Sequence, residues 1–185
     1  MNVIHFIVFI ILFLFLMLFA IRDNTMVEVE SNIDNKMYLV RKGNSQEDKA
    51  NRLANMNLKI QKLLKILRSQ HLKRKGISMM LENYDGVLEE TRLGDTDIAY
   101  NENKGDKIAI CINLENSENI TFFVIMHELA HGMTHEYKHN KEFWDNMSFL
   151  IEVAIEHGLY KYQDYTDNPD EFCETEINST PYEKN

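Results

Sequence analysis

The segment HELAHGMTHEYKH, residues 127–139, contains four histidines, each four positions after the one before. Residues four apart lie on one face of an α-helix, so His127 and His131 can both reach one ion at about 2.0–2.1 Å. Glu128 completes an HExxH pattern, in which a helix carries two zinc ligands and a carboxylate that acts as general base. The pattern predicts a divalent-metal site on a helix.

The third ligand has several candidates. His135 continues the series, but on an unbroken helix it lies about 12 Å along the axis from His127, at the limit of reach. A glutamate on a later helix, Glu152 or Glu156, is an alternative. His139 is better placed, because the helix can end before it and the chain can turn back towards the ion. Three imidazoles with one open position favour zinc among the divalent metals.

The continuation HNKEF at 139–143 resembles the WLM family of zinc metallopeptidases, relatives of the SprT-like group. In that family HELAH is followed, after a short turn, by a third histidine, then by a phenylalanine and a helix. The resemblance implies that His127, His131 and His139 hold one zinc ion per chain and that Glu128 is the catalytic residue.

The resemblance extends from YLVR at 38–41 to FCETEI at 172–177. This chain has Tyr137 and Lys138 where the family commonly has Gly-Pro. Compact members, some with a hydrophobic N-terminus, are associated with large DNA viruses and protists. The resemblance implies an α+β fold, a minimal zincin-like metallopeptidase domain.

Periodicity predicts the elements that position these residues. A long helix starts at Ser45 with a capping-box-like Ser45-Gln-Glu-Asp48. DIAY at 97–100 and KIAICINL at 107–114 predict a β-hairpin, whose second strand is a plausible edge for an extended peptide. Helices are expected over about 120–136 and 141–157, and the tail from residue 160 either wraps the domain or is loose. The long helix carries one apolar stripe: Leu53, Met56, Ile60, Leu63, Leu64 and Leu67.

The N-terminus is strongly apolar. Of residues 3–21, only His5 is not apolar, and a helix of that length spans about 28 Å, close to the roughly 30 Å hydrocarbon core of a bilayer. We therefore expect a transmembrane anchor at 1–22, a linker or weak edge strand at 23–36, and the metallopeptidase domain at 37–185. Lys and Arg are absent before the apolar run 3–21 and occur from Arg22 onward, which predicts a single-pass protein whose body is cytosolic or virion-internal.

Charge is unevenly distributed along the chain. Residues 49–75 carry nine basic and no acidic side chains, whereas residues 76–185 carry a net charge of −16. The basic helix is either a solvated face of a core-packing helix or a surface for nucleic acid or anionic lipid. The absence of aromatic residues among its basic residues argues against stacking with single-stranded nucleic acid. Cys111 and Cys173 form no CxxC pair, and either one disulfide or two reduced thiols fits them.

These features predict a membrane-anchored, zinc-dependent endopeptidase that hydrolyses protein or peptide substrates with a water activated by zinc and Glu128. Two alternatives remain: a catalytically silent, zinc-binding structural protein associated with a membrane or virion, and a protease of DNA-linked protein crosslinks. Transition-state stabilisation is assigned to one of Tyr160, Tyr162, Tyr165 and His157, without a ranking. One candidate span, more than 100 residues from HELAH, argues against an intramembrane protease.

Overall fold

The computed structural model describes residues 3–23 and 25–182, which form an α+β arrangement with five helices and three small β-sheets. The predicted α+β class is confirmed. The helices are α1 Val3–Asp23, α2 Gln46–Gln70, α3 Ile77–Asn83, α4 Glu118–Met133 and α5 Lys141–Glu156. The strands are β1 Met26–Glu30, β2 Met37–Arg41, β3 Val87–Glu90, β4 Ala99–Glu102, β5 Lys107–Ile110, β6 Asp170–Phe172 and β7 Thr175–Ile177.

The predicted transmembrane anchor is corrected by the structure. In the part of the chain that the structure describes, no helix combines the length and apolar character needed to cross a membrane. The predictions of a transmembrane helix and of a single-pass membrane protein are therefore wrong. Residues 1 and 2 of the predicted anchor lie outside the described residues.

The segment expected to be a linker or a weak edge strand contains β1. This strand pairs with β2 in antiparallel register, from Met26 opposite Arg41 to Glu30 opposite Met37. The connecting turn places Asn35 at a φ of 56° and is closed by a hydrogen bond from the Ser31 N–H to the Lys36 carbonyl. Regular structure therefore begins before the predicted domain start at residue 37. Asn24 and residues 183–185 lie outside the described residues.

Helix α2 forms the centre of the core. All six apolar residues of its predicted stripe are buried, together with apolar side chains of α3, α4 and α5. Burial of this stripe is the main reason that the helix is stable, since burying each large aliphatic side chain contributes about 1.5–3 kcal/mol. Ser45 is the N-cap residue, but its side chain makes no capping hydrogen bond, so the predicted capping box does not form.

Several basic residues of α2 bind the acidic remainder of the chain. The Lys49 ammonium lies 2.6 Å from a carboxylate oxygen of Glu90, whose side chain is fully buried. Lys59 lies 3.3 Å from Glu118 at the start of α4. These ion pairs place part of the basic face against the domain. An interaction of the remaining exposed basic residues with nucleic acid or anionic lipid stays a prediction.

The central sheet has the order β3–β5–β4. Strands β4 and β5 form the predicted antiparallel hairpin, while β3 pairs with β5 in parallel. The expectation that KIAICINL provides a free edge is therefore wrong, because β5 is hydrogen-bonded on both sides and β4 lies at the edge. The region 76–96 had no predicted element; it contains α3 and β3.

The C-terminal tail wraps the domain. Strands β6 and β7 form an antiparallel hairpin, and a disulfide joins Cys173 at its turn to Cys111, which directly follows β5. The Asn116 side chain accepts a hydrogen bond from the Cys173 N–H and donates one to the Glu171 carbonyl. With Phe172 fully buried, these contacts hold the hairpin against the domain.

Candidate metal centre

Helix α4 presents the HExxH residues. It starts at the N-cap Ser117, whose side chain accepts a hydrogen bond from the Ile120 N–H, and Glu118 in its first turn suits the helix dipole. Most of the helix is buried. One helical turn separates His127 from His131 and directs both rings towards the same point.

The turn after α4 brings in the third histidine. The helix ends at Met133, and the Asn146 side chain, from α5, donates to the Met133 carbonyl (3.3 Å) and to the Thr134 hydroxyl (3.2 Å). The Lys104 ammonium binds the Thr134 carbonyl at 2.9 Å and also the carbonyl of His135. These buried and half-buried contacts fix where the chain leaves the helix.

The start of α5 then fixes His139. Its N-cap residue, Asn140, accepts a hydrogen bond from the Phe143 N–H at 3.0 Å. His139 immediately precedes this cap, so the position of its ring is set by the beginning of the helix. The chain therefore turns back to the α4 histidines at residue 139, as the spacing predicts.

The three imidazoles converge on one point. The His139 Nε2 lies 3.1 Å from the Nε2 of His127 and 3.1 Å from that of His131. Nitrogens at the corners of a tetrahedron around zinc are about 3.3 Å apart for a bond of about 2.05 Å. Among the described residues, these three histidines form the group of side chains able to hold a metal ion. His135, Glu152 and Glu156 are exposed and do not belong to it.

Aromatic side chains at the start of α5 pack against the three histidine rings. Phe143 is fully buried, and its ring centroid lies 4.5 Å from those of His131 and His139 and 4.8 Å from that of His127. Trp144 packs against the His139 ring at 5.6 Å. The first residues of α5 thus hold all three imidazoles in position.

The electrostatics of the site suit a metal cation. Burial, and then the neighbouring His131 and His139, lowers the pKa of His127 to about 3. Burial, His139 and Lys104 lower the pKa of His131 to about 4. Both rings are therefore neutral at pH 7, the form that binds a metal. These two neutral imidazoles and the His139 ring, with converging nitrogens, fit a divalent cation.

Glu128 is buried beside the three histidines and is 5% exposed. Burial, reinforced by the negative charge of Asp97, raises the pKa of Glu128 to about 8. A divalent cation on the histidines would act in the opposite direction and favour the carboxylate. The backbone carbonyl of Glu128 accepts a hydrogen bond of 2.8 Å from the Asn101 side chain, which ties edge strand β4 to α4.

Two cavities meet at Glu128. One, of about 420 Å³, contains the three histidines together with Tyr137 and residues of β4 and its turn. The other, of about 300 Å³, extends towards the C-terminal hairpin. Asp97, Ala99, His127 and Glu128 line both, so the candidate centre lies at their junction. A larger cavity of about 710 Å³ contains none of the three histidines, but it shares Asp97 with the other two.

The predicted transition-state stabilisers lie elsewhere. Tyr160 and Tyr165 are buried and pack against Phe123, and neither Tyr162 nor His157 lines a cavity that contains the histidines. Sequence reasoning missed six residues that line the histidine cavity: Asp97, Ala99, Tyr100, Asn101, Lys104 and Tyr137. All but Tyr137 belong to the predicted hairpin, which directly precedes the helix in the sequence.

The chain is similar to an uncharacterized protein of Acanthamoeba polyphaga mimivirus, with 28% identity over 155 residues that cover 78% of this chain and 79% of that protein. No protein-family model matches the chain. No solved structure matches it. The resemblance to the WLM family therefore stays a prediction carried by the motif residues. These comparisons assign no activity to the metal centre.

Proposed function

We propose that this protein is a zinc-dependent endopeptidase. The observation that carries the proposal is the convergence of three imidazole nitrogens in a cavity that the buried Glu128 also lines. His127, His131 and His139 would hold zinc, leaving one position open, and Glu128 would act as the general base. A scaffold that only binds metal has no need of a carboxylate at that position.

The proposed reaction is hydrolysis of a peptide bond. Bound zinc would supply Lewis acidity and lower the pKa of a nearby water to about 7. The Glu128 carboxylate takes one proton from the attacking water, whose oxygen forms the new bond to the scissile carbonyl carbon. As the carbon–nitrogen bond breaks, Glu128 returns the proton to the leaving amine. The second proton of the water then passes from the new carboxylic acid to the amine, so the products are a carboxylate and an ammonium group, and Glu128 is regenerated.

Strand β4 would bind the substrate backbone. It is the terminal strand of its sheet, so its outer N–H and C=O groups are available to an extended peptide within the described part of the chain. Its residues Ala99, Tyr100 and Asn101 line the histidine cavity. A peptide paired with this strand would pass the metal centre in an extended conformation, with its side chains directed alternately to either side.

The test is proteolysis of an unfolded protein such as casein by the full chain after metal removal and addition of zinc. We expect zinc to restore cleavage. Glu128→Gln should keep the zinc and reduce the rate by about 10²–10⁴-fold, because it removes the base and keeps the size of the side chain. Bound zinc with no cleavage by the wild-type chain, with or without DNA, would refute the endopeptidase proposal and favour a structural role.

A further inference from the structure

The cavity of about 300 Å³ beside the metal centre has apolar walls and an acidic rim. Phe123 and Val124 of α4 line it one turn before the histidine pair, and Ile98 and Ile177 line it from either side. Thr96, Asp97 and Thr175 belong to the same lining and are exposed. A group that enters this cavity from solvent therefore passes polar side chains before it reaches apolar ones.

Apart from the proposed zinc ligand His127, the ionisable side chains of this cavity are acidic. Its ionisable residues are Asp97, Glu128 and His127, and none of the described residues that line it is a lysine or arginine. Asp97 is exposed, and within the described ranges it has neither a hydrogen bond nor an ion pair. Its position is central, because it lines this cavity, the histidine cavity and the larger cavity of about 710 Å³.

Resting on the proposed function, we propose that this cavity binds a cationic group of the substrate and that Asp97 is a specificity-determining residue. A lysine or arginine side chain combines an apolar stem with a charged end, which matches apolar walls below an acidic rim. A glutamate side chain there would face two carboxyl groups. The α-ammonium group of a substrate carries the same positive charge, and the test distinguishes it from a lysine or arginine side chain.

The test uses peptides that are identical except at one position, occupied by lysine, arginine, norleucine or glutamate. That position is moved in turn to each side of the cleaved bond, and each peptide is made with a free and an acetylated N-terminus. Norleucine keeps the apolar stem of lysine without its charge. The readout is the ratio of kcat/KM for lysine to that for norleucine, because any effect of Asp97 on Glu128 is common to both peptides.

We expect the wild-type chain to favour lysine and arginine over norleucine by about fivefold at one position, the scale of a solvent-accessible ion pair. Asp97→Asn should bring the ratio close to one, and Asp97→Lys should favour glutamate. Glu156→Gln is the matched control: it removes the same charge from an exposed residue that lines none of the three cavities, so the ratio should not change. A fall in kcat/KM on acetylation that is equal for lysine and norleucine peptides, and absent in Asp97→Asn, would identify the α-ammonium group as the cation.

Two outcomes overturn the inference: equal cleavage of lysine and norleucine peptides at every position with no effect of acetylation, or a preference that survives in Asp97→Asn. Either leaves the proposed endopeptidase intact. The separate failure of that function is detected by peptide binding to the zinc-loaded Glu128→Gln chain, measured by fluorescence anisotropy. If the wild-type chain cleaves nothing, a lysine preference in binding that Asp97→Asn removes supports the cationic site, and equal binding of both peptides refutes it.

Discussion

The metal centre and the acid-rimmed cavity beside it are built in different ways. The centre takes its three histidines and their aromatic support from one continuous segment, residues 127–144, in which two helices and a turn set the geometry. The cavity is assembled from the 96–99 segment, from α4 and from β7. The donor set is thus held by local structure, whereas the space next to it depends on contacts between distant parts of the chain.

The largest difference between the two regions should follow loss of the disulfide. Cys111→Ser with Cys173→Ser removes the cross-link that holds the hairpin carrying Thr175 and Ile177, which line the cavity. We expect a loss of about 2–4 kcal/mol in the free energy of unfolding, because the link closes a long loop. Peptide KM should rise while zinc content stays at the wild-type value. Denaturant unfolding and metal analysis measure both effects.

The single Cys173→Ser variant, and the wild-type chain treated with a phosphine reductant, are the controls for that change. Both should reproduce the double variant. If zinc were lost from the reduced but still folded chain, the metal centre would depend on the C-terminal hairpin. The claim that the centre is held by local structure alone would then be incorrect.

A smaller effect, confined to the centre, should follow Asn146→Ala. This substitution removes the two hydrogen bonds that hold the Met133 carbonyl and the Thr134 hydroxyl at the end of α4. We expect a loss of about 1–3 kcal/mol in stability, the usual result of leaving buried polar groups unpaired. Zinc affinity should fall as well, by about tenfold, because the turn that leads to His139 loosens. A zinc titration against a competing chelator measures it.

Asn119→Ala provides the comparison for that experiment. Asn119 also bonds to backbone groups, accepting from the Lys161 N–H and donating to the Lys161 carbonyl, but it lies at the start of α4 and is more exposed. Its loss should leave zinc affinity unchanged. Equal zinc affinities in the two variants would contradict the role given to the turn.

The third effect is the pH dependence of stability without metal. The pKa values of His127 and His131 are lowered to about 3 and 4 in the folded chain, and an unfolded histidine has a pKa of about 6.5. Above that value neither state binds the protons. Between about pH 6.5 and 4 the unfolded chain binds protons that the folded chain does not, so these histidines lower stability as pH falls.

Glu128 acts in the opposite direction, because its pKa is raised to about 8 and the folded chain binds that proton first. The contribution of the histidines to the pH dependence of stability is therefore measured as the difference between the wild-type chain and a variant that lacks both histidines. A metal-free chain with His127→Gln and His131→Gln should lose less stability between pH 7 and 5 than the wild-type chain does, as measured by urea unfolding. His135→Gln, which changes an exposed histidine, should behave like wild type; a parallel pH dependence in all three chains would contradict the assignment.

Local periodicity predicted the elements around the centre well. The α2 stripe, the α4 and α5 helices and the hairpin before them follow from the spacing of apolar residues and from turn signals. Spacing disfavoured His135 as the third ligand but left His139, Glu152 and Glu156 open, and the choice of His139 also rested on the resemblance of HNKEF to the WLM family. These features depend on residues that are close in sequence.

Features that depend on long-range contacts were missed or predicted wrongly. Nothing near Asp97 indicates that it faces α4, and the role of β5 as a central strand depends on parallel pairing with the short β3. Two cysteines allow a single pairing, but the sequence does not show whether the bond forms. The Cys111–Cys173 disulfide is evident only from the fold. The apolar N-terminus predicted a membrane span from composition alone, and the described part of α1 does not provide one.

The most direct test of the central claim is the zinc stoichiometry and affinity of the full chain, measured beside His139→Ala and His135→Ala. We predict one zinc ion per wild-type chain, a loss of affinity of at least about tenfold in His139→Ala, and no change in His135→Ala. Retention of full affinity by His139→Ala, or its loss in His135→Ala, would contradict the assigned ligand set. Absence of zinc binding by the wild-type chain would overturn the account of this centre.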